Sequence, residues 1–121
     1  VGGAAKTEDQ LQLYDLRTFQ PMKNLDWFGG VASPDEPCMI YSAQFNHKSR
    51  GRLVAAGGSV VDKAGGKPSP TVKIFDTDTG EVKFSQCCGA VSSVNFSPDG
   101  TRLAVGAGDG GVYQYDISSL L

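Results

Sequence analysis

Apolar residues along the chain come in short runs of period two, and no convincing 3.6-residue stripe appears. The clearest run is AVSSVNFS (90–97), which puts Val94 and Phe96 on one face. SPDG (97–100) follows. Proline presets φ and glycine accepts positive φ, so Asp99 and Gly100 predict a tight turn. TRLAVGAG (101–108) predicts a second strand, DGG (109–111, with Asp109 and Gly110) a second turn, and VYQYDI (112–117) a third strand. The expected result is an antiparallel meander with short hairpins. The same order occurs earlier in MIYSAQFN (39–46), RLVAAGGS (52–59) and TVKIFDT (71–77), with EVKFSQCC (81–88) as a fourth strand after the turn DTG. Upstream, LQLYDLR (11–17) and PMKNLDWF (21–28) predict the third and fourth strands of an earlier unit.

Three of these segments close on an aromatic residue followed by aspartate: Tyr14-Asp15, Phe75-Asp76 and Tyr115-Asp116. The last two pairs are 40 residues apart, one repeat of the propeller type at about 40–45 residues. The first two are 61 apart, the same repeat lengthened by two inserted loops, GGVASPDEPC (29–38) and VVDKAGGKPSP (60–70). The chain therefore divides into half a unit over 10–28, a full four-stranded unit over 39–88, and a last unit over 90–117 that lacks a fourth strand.

The unit AVSSVNFSPDGTRLAVGAGDGGVYQYD resembles the repeat of the WD-repeat β-propeller family. It is similar in its Val-rich first strand, F-S-P-D-G, a second strand ending in small residues, D-G, and a strand closing on aromatic-Asp. The likeness covers about residues 10–117. It implies an all-β fold of four-stranded antiparallel blades, with residues 1–121 forming a partial propeller domain and an incomplete ring. Nine expected strands fall short of a ring of about 4–8 four-stranded blades. The resemblance implies the C-terminal portion of a propeller, about two and a quarter blades, with earlier blades preceding it and an N-terminal strand completing the last blade; the alternative is completion against another chain. There are departures. The closing Trp-Asp of the family is Tyr-Asp or Phe-Asp here, Gln86-Cys87 stands where the family has Gly-His, and the second-strand serine aligns near Val105. The family's Asp-His-Ser-Trp hydrogen-bond network therefore cannot form in full. Asp109 remains in its turn and can cap local N–H groups.

Composition supports this class. An apolar content of 40% and a charged content of 20% fit a globular protein, and 16 glycines and 6 prolines cut the chain too finely for helices. A net charge of -2 argues against nucleic-acid or anionic-membrane binding, which usually requires a strongly basic face. No apolar run approaches the ~18–20 residues of a membrane-spanning helix. No secretory signal is visible, and a start at Val1 suggests a segment of a longer protein. Cys38, Cys87 and Cys88 make a poor disulfide framework, so free thiols and a reducing compartment are expected. A cytoplasmic location follows, with nuclear, cytoskeletal or ciliary sites as variants.

Candidate chemistry is sparse. Gly106, Gly108 and Gly111 spell G-x-G-x-x-G, but a dinucleotide loop must open a helix, and VYQYDI alternates as a strand. His47 is the sole histidine, set in a turn, so neither a nucleophile–base pair nor a zinc site of about four ligands is expected. No cofactor, metal, small-molecule substrate or catalytic residue is assigned. HKSRGR (47–52) is a small basic cluster in which Lys48 and Arg50 could meet an acidic partner or a phosphate backbone; it has no interleaved aromatic to stack on a base. YDLR (14–17) is similar to the aromatic-Asp-x-Arg box of propellers that dock onto cullin-type ubiquitin ligases, with Arg17 as the contact. Ser69-Pro70, beside Lys67, fits a proline-directed phosphorylation site.

In a meander, turns after first and third strands share one end of the sheet, and those after second and fourth share the other. Loops 29–38 and 60–70 are therefore expected on one rim, with HKSRGR and DTG opposite. Binding concentrates in loops on rigid scaffolds. Trp27 would supply an aromatic anchor, and Asp35, Glu36, Lys63 and Lys67 charges of both signs. The expected function is a non-catalytic scaffold binding other proteins within a multiprotein complex. The alternatives are an adaptor subunit of a cullin-type ubiquitin ligase, or a structural subunit of a cytoskeletal, ciliary or ribonucleoprotein assembly.

Overall fold

The run Leu53-Val54-Ala55-Ala56 is buried at every position. Side chains of a strand alternate between faces, so a run buried throughout needs a layer on each side. Leu53 and Ala55 enter one apolar core with Val72, Ile74, Val91, Val94, Leu103 and Val105. Val54 and Ala56 enter a second with Leu11, Leu25, Ile40 and Phe75. Each fully buried Leu, Ile, Val or Phe contributes roughly 1.5–3 kcal/mol, so both layers are held mainly by these side chains.

A computed structural model of the chain describes residues 4–5, 11–15, 18, 20–25, 38–60 and 71–121. Over these residues the fold is all-β and antiparallel. The strands are β1 (Ala4–Ala5), β2 (Gln12–Asp15), β3 (Gln20–Asn24), β4 (Cys38–Phe45), β5 (Leu53–Val60), β6 (Val72–Asp76), β7 (Val82–Gln86), β8 (Val91–Phe96), β9 (Arg102–Ala107) and β10 (Val112–Asp116). A single 3-10 turn covers Ser118–Leu120. The strands form a middle sheet in the order β1-β4-β5-β6-β7, a three-stranded sheet β10-β9-β8, and a hairpin β2-β3. None of the three closes into a barrel. No helix among the described residues is long and apolar enough to cross a membrane.

The two larger sheets pack head to tail. Phe45 pairs with Val54 across β4–β5, and Phe96 pairs with Leu103 in the same place across β8–β9. Val54 points into the core shared with Leu11 and Leu25, on the β2-β3 side. Leu103 points back into the core shared with the middle sheet. Equivalent faces thus look in the same direction, as in a stack of repeats rather than a two-sheet sandwich.

The closest approach in this stack is at Gly57 of β5. A Cβ there would run into the Val91 side chain and stand 3.0 Å from Val94 Cγ1. The missing side chain lets β8 settle onto β5.

One expectation needs correction. The chain has ten strands in the described residues, not nine, because Ala4 and Ala5 pair with Met39 and Cys38. Two alanines carry no period-two signal. Cys38 and Val60 are register partners, so pairing extends β4 and β5 by one residue each into 29–38 and 60–70. Similarly, β3 begins at Gln20, paired with Asp15.

Gly57→Ala should overpack the β5–β8 contact and lower stability by about 1–3 kcal/mol, read as a fall in the urea midpoint. Val91→Ala in the same chain should recover part of that loss. A neutral Gly57→Ala would show that the sheets stand further apart.

Candidate functional site

Antiparallel pairing leaves every second N–H of an edge strand pointing away from its neighbour. In β8 the Ser97 end is fixed by its N–H bonding to Arg102 O at 2.9 Å, so the N–H groups of Val94 and Phe96 point outward. They donate to Ser42 Oγ (3.2 Å) and Gln44 Oε1 (2.6 Å) of β4. Asn46 continues the row, its Nδ2 donating to Gly100 O at 2.9 Å. Three polar side chains at period two thus bind the next sheet's backbone, while Tyr41 and Phe45 on the other face stay about half exposed, at 54% and 48%.

Asn46 is fully buried and also builds the turn after β4. Its Oδ1 accepts the Ser49 N–H (3.0 Å), and its carbonyl accepts the Ser49 hydroxyl (2.9 Å) and the Gly51 N–H (3.1 Å). Ser49 Oγ in turn accepts the Leu53 N–H at 3.0 Å. This network carries Arg50 and Gly51 through left-handed backbone, with φ of 56° and 81°. Glycine is at home there; arginine is uncommon. Gly100 is required twice over. Its φ is 75°, and a Cβ would run into Lys48 Cβ and stand 2.9 Å from Asn46 Oδ1.

Neighbouring turns lock onto this one. Thr77 donates its N–H to Arg52 O (2.7 Å) and its hydroxyl to Gly51 O (3.0 Å). The Ile117 N–H donates to Thr101 O at 2.8 Å, and an Arg52 guanidinium N–H reaches Leu120 O at 3.3 Å. Between these pieces lies an open cleft of about 290 Å³, lined by Lys48, Ser49, Arg50, Arg52 and Leu121. Among the described residues, neither Lys48 nor Arg50 has an ion-pair partner.

Aspartates cap the turns at both ends of the sheets. Asp76 Oδ1 accepts the N–H groups of Asp78 and Thr79 (2.8 and 3.2 Å), and Asp116 Oδ1 accepts the Ser118 N–H and hydroxyl (2.9 and 2.6 Å). The Asp78 N–H above all, with Thr79 and Arg52 adding, holds the Asp76 carboxyl below its ordinary range. For Asp99 the Ser97 hydroxyl, then the Thr101 N–H and hydroxyl, lower it to about 2. At the opposite end Asp109 Oδ1 accepts the Gly111 N–H (2.7 Å) and Oδ2 accepts the Tyr113 hydroxyl (2.9 Å). There Cys88, a buried free thiol, lies 3.2 Å from the Tyr115 hydroxyl. That contact, then burial, pushes the phenol up to about 12. Tyr115 also meets Phe84 edge-on, with ring centroids 5.1 Å apart.

The positions singled out in the sequence are distributed as follows. Asp15, Asp76 and Asp116 each end a strand, preceded by Tyr14, Phe75 and Tyr115. Lys48 and Arg50 share the cleft. Asp99 and Gly100 lie on the same end, in the adjoining turn; Asp109 and Gly110 lie on the other. Arg17, Trp27, Asp35, Glu36, Lys63, Lys67 and Ser69 lie outside the described residues. Cys38 and Val60, which border segments 29–38 and 60–70, are register partners at the end of the sheet away from the cleft. Gly106 sits in β9, and Gly108 and Gly111 flank the turn into β10. His47 is exposed on the cleft turn. Among the described residues no three His, Cys, Asp or Glu side chains gather as a metal-binding cluster.

Sequence reasoning missed Ser42, Gln44, Asn46 and Arg52. The signal available for the first three was a polar row at period two in an otherwise apolar strand. No protein-family model matches the chain, and no curated protein matches it.

Asn46→Ala would leave the Gly100 carbonyl and Ser49 N–H without their buried partner. A loss of about 2–3 kcal/mol is expected, measured by urea unfolding followed by circular dichroism. A change below about 0.5 kcal/mol, within the range of ordinary surface substitutions, would show that water replaces the side chain.

Proposed function

We propose that this chain is part of a β-propeller of the WD-repeat type, acting as a non-catalytic scaffold that binds other proteins within a larger complex. The observation that carries this reading is the head-to-tail stacking of equivalent faces, in which Phe96 and Leu103 repeat the placement of Phe45 and Val54. The aromatic-Asp pairs mark the same position in successive units: the ends of β2, β6 and β10. In this reading β4–β7 form one four-stranded blade, β8–β10 the first three strands of the next, and β2-β3 the outer half of the one before.

The function proposed is display. A stack buried on both faces of its middle layer is stiff, and stiffness is what lets loops keep a fixed geometry. The segments after β3 and β5 serve as partner-binding loops, anchored side by side through Cys38 and Val60. The cleft turns form a second display surface at the other end.

The test replaces residues 31–36 or 62–69 with short Gly-Ser links, one at a time, and compares proteins captured by the full chain under crosslinking. At least one replacement should remove a defined set of partners while the circular dichroism spectrum is kept. Capture that is identical in the parent and in both replacements would contradict loop-borne binding.

A further inference from the structure

The cleft at the β4–β5 turn combines features that turn geometry alone does not require. Three cations line it, and among the described residues only Arg52 donates a hydrogen bond from its charged end, one N–H to Leu120 O. Lys48 and Arg50 are exposed and lack an ion-pair partner among the described residues. Arg50 is the one described non-glycine residue with positive φ. Strained backbone of this kind clusters at functional sites, where the surrounding structure holds it in place. Here the holding structure is the Asn46–Ser49 network, which sets the turn before any ligand arrives.

We propose that this cleft is a docking site for a single phosphoryl group carried on a side chain of a partner protein. Charge favours phosphoryl over carboxylate. A phosphate monoester carries about -1.5 to -2 at neutral pH, which matches the Lys48 ammonium and the Arg50 guanidinium together better than a charge of -1 does, with Arg52 shared with Leu120 O and the Asp76 carboxylate. Arginine also offers a fork of N–H donors that matches phosphate oxygens, and lysine adds a mobile point charge. Size favours a side-chain group: about 290 Å³ lies at the lower edge of the ~300–1,000 Å³ of ligand pockets. A nucleic-acid strand is disfavoured because it needs a basic stripe several phosphates long. The turns flanking this cleft carry Asp76, Asp78, Asp99 and Asp116 instead. The site does not depend on the propeller reading, since the turns that build it lie within the described residues.

The experiment uses fluorescence anisotropy of the full chain with a labelled Gly-Ser peptide bearing one phosphoserine. Serine and glutamate versions, inorganic phosphate and an oligouridine serve as comparisons. The phosphoserine peptide should bind at least tenfold tighter than the serine peptide, with glutamate between them, and inorganic phosphate should compete. Lys48→Ala and Arg50→Ala should each weaken binding at least fivefold, and Lys83→Ala, outside the cleft, should not. Arg50→Gly separates binding from folding. It should lose binding as Arg50→Ala does, while its melting temperature equals or exceeds the parent's because glycine relaxes the left-handed φ. Equal affinity for the phosphoserine and serine peptides would overturn the proposal. So would full affinity in Arg50→Gly, a lowered melting temperature there, or tighter binding of oligouridine than of the phosphopeptide.

Discussion

The structure depends on a row of three hydrogen bonds from side chains of one sheet to the backbone of the next. Ser42 and Gln44 accept the outward N–H groups of Val94 and Phe96, and Asn46 donates to the Gly100 carbonyl. Apolar packing alone would hold these sheets together, because Leu53, Ala55, Val94, Leu103 and Val105 share a core. Burial is non-directional, however, and tolerates sliding. Hydrogen bonds at alternate residues do not, because a shift of one residue turns every N–H the other way. The row therefore sets how the repeats are stacked, and it blunts the β8 edge that would otherwise template strand pairing.

The same row reaches the rim. Asn46 ends it and begins the turn that carries Lys48, Arg50 and Arg52, so the register of two sheets and the shape of the cationic cleft share one buried amide. Thr77 and Ile117 tie the adjoining turns to this frame through backbone bonds. Aspartates at the strand ends take up free N–H groups and keep the turns short. A cleft made of turns is usually adaptable; this one has a floor fixed by the Asn46–Ser49 bonds and exposed charged tips. At the far end, the Cys88 thiol lies 3.2 Å from the Tyr115 hydroxyl, and Phe84 packs edge-on against the same ring.

The strands and tight turns were legible in the chain because their chemistry is local. Period-two runs such as Val94/Phe96, and SPDG or DGG between them, need no knowledge of the rest of the fold. What stayed hidden depends on residues distant in sequence. Ser42, Gln44 and Asn46 read as a solvent-facing row, and only a strand about 50 residues away makes them interior. Arg50 gives no sign of its left-handed backbone, which follows from Asn46 and Ser49 bonding across the turn. Ala4–Ala5 has no pattern to read at all.

Amide hydrogen exchange at Val94 and Phe96 tests the row most directly. Both amides should be protected about as well as Asn95, whose N–H points to β9 within the sheet. The double substitution Ser42→Ala with Gln44→Ala should abolish protection at Val94 and Phe96 and leave Asn95 protected. Rapid exchange at Val94 and Phe96 in the parent chain, or protection there that survives the double substitution, would contradict the account.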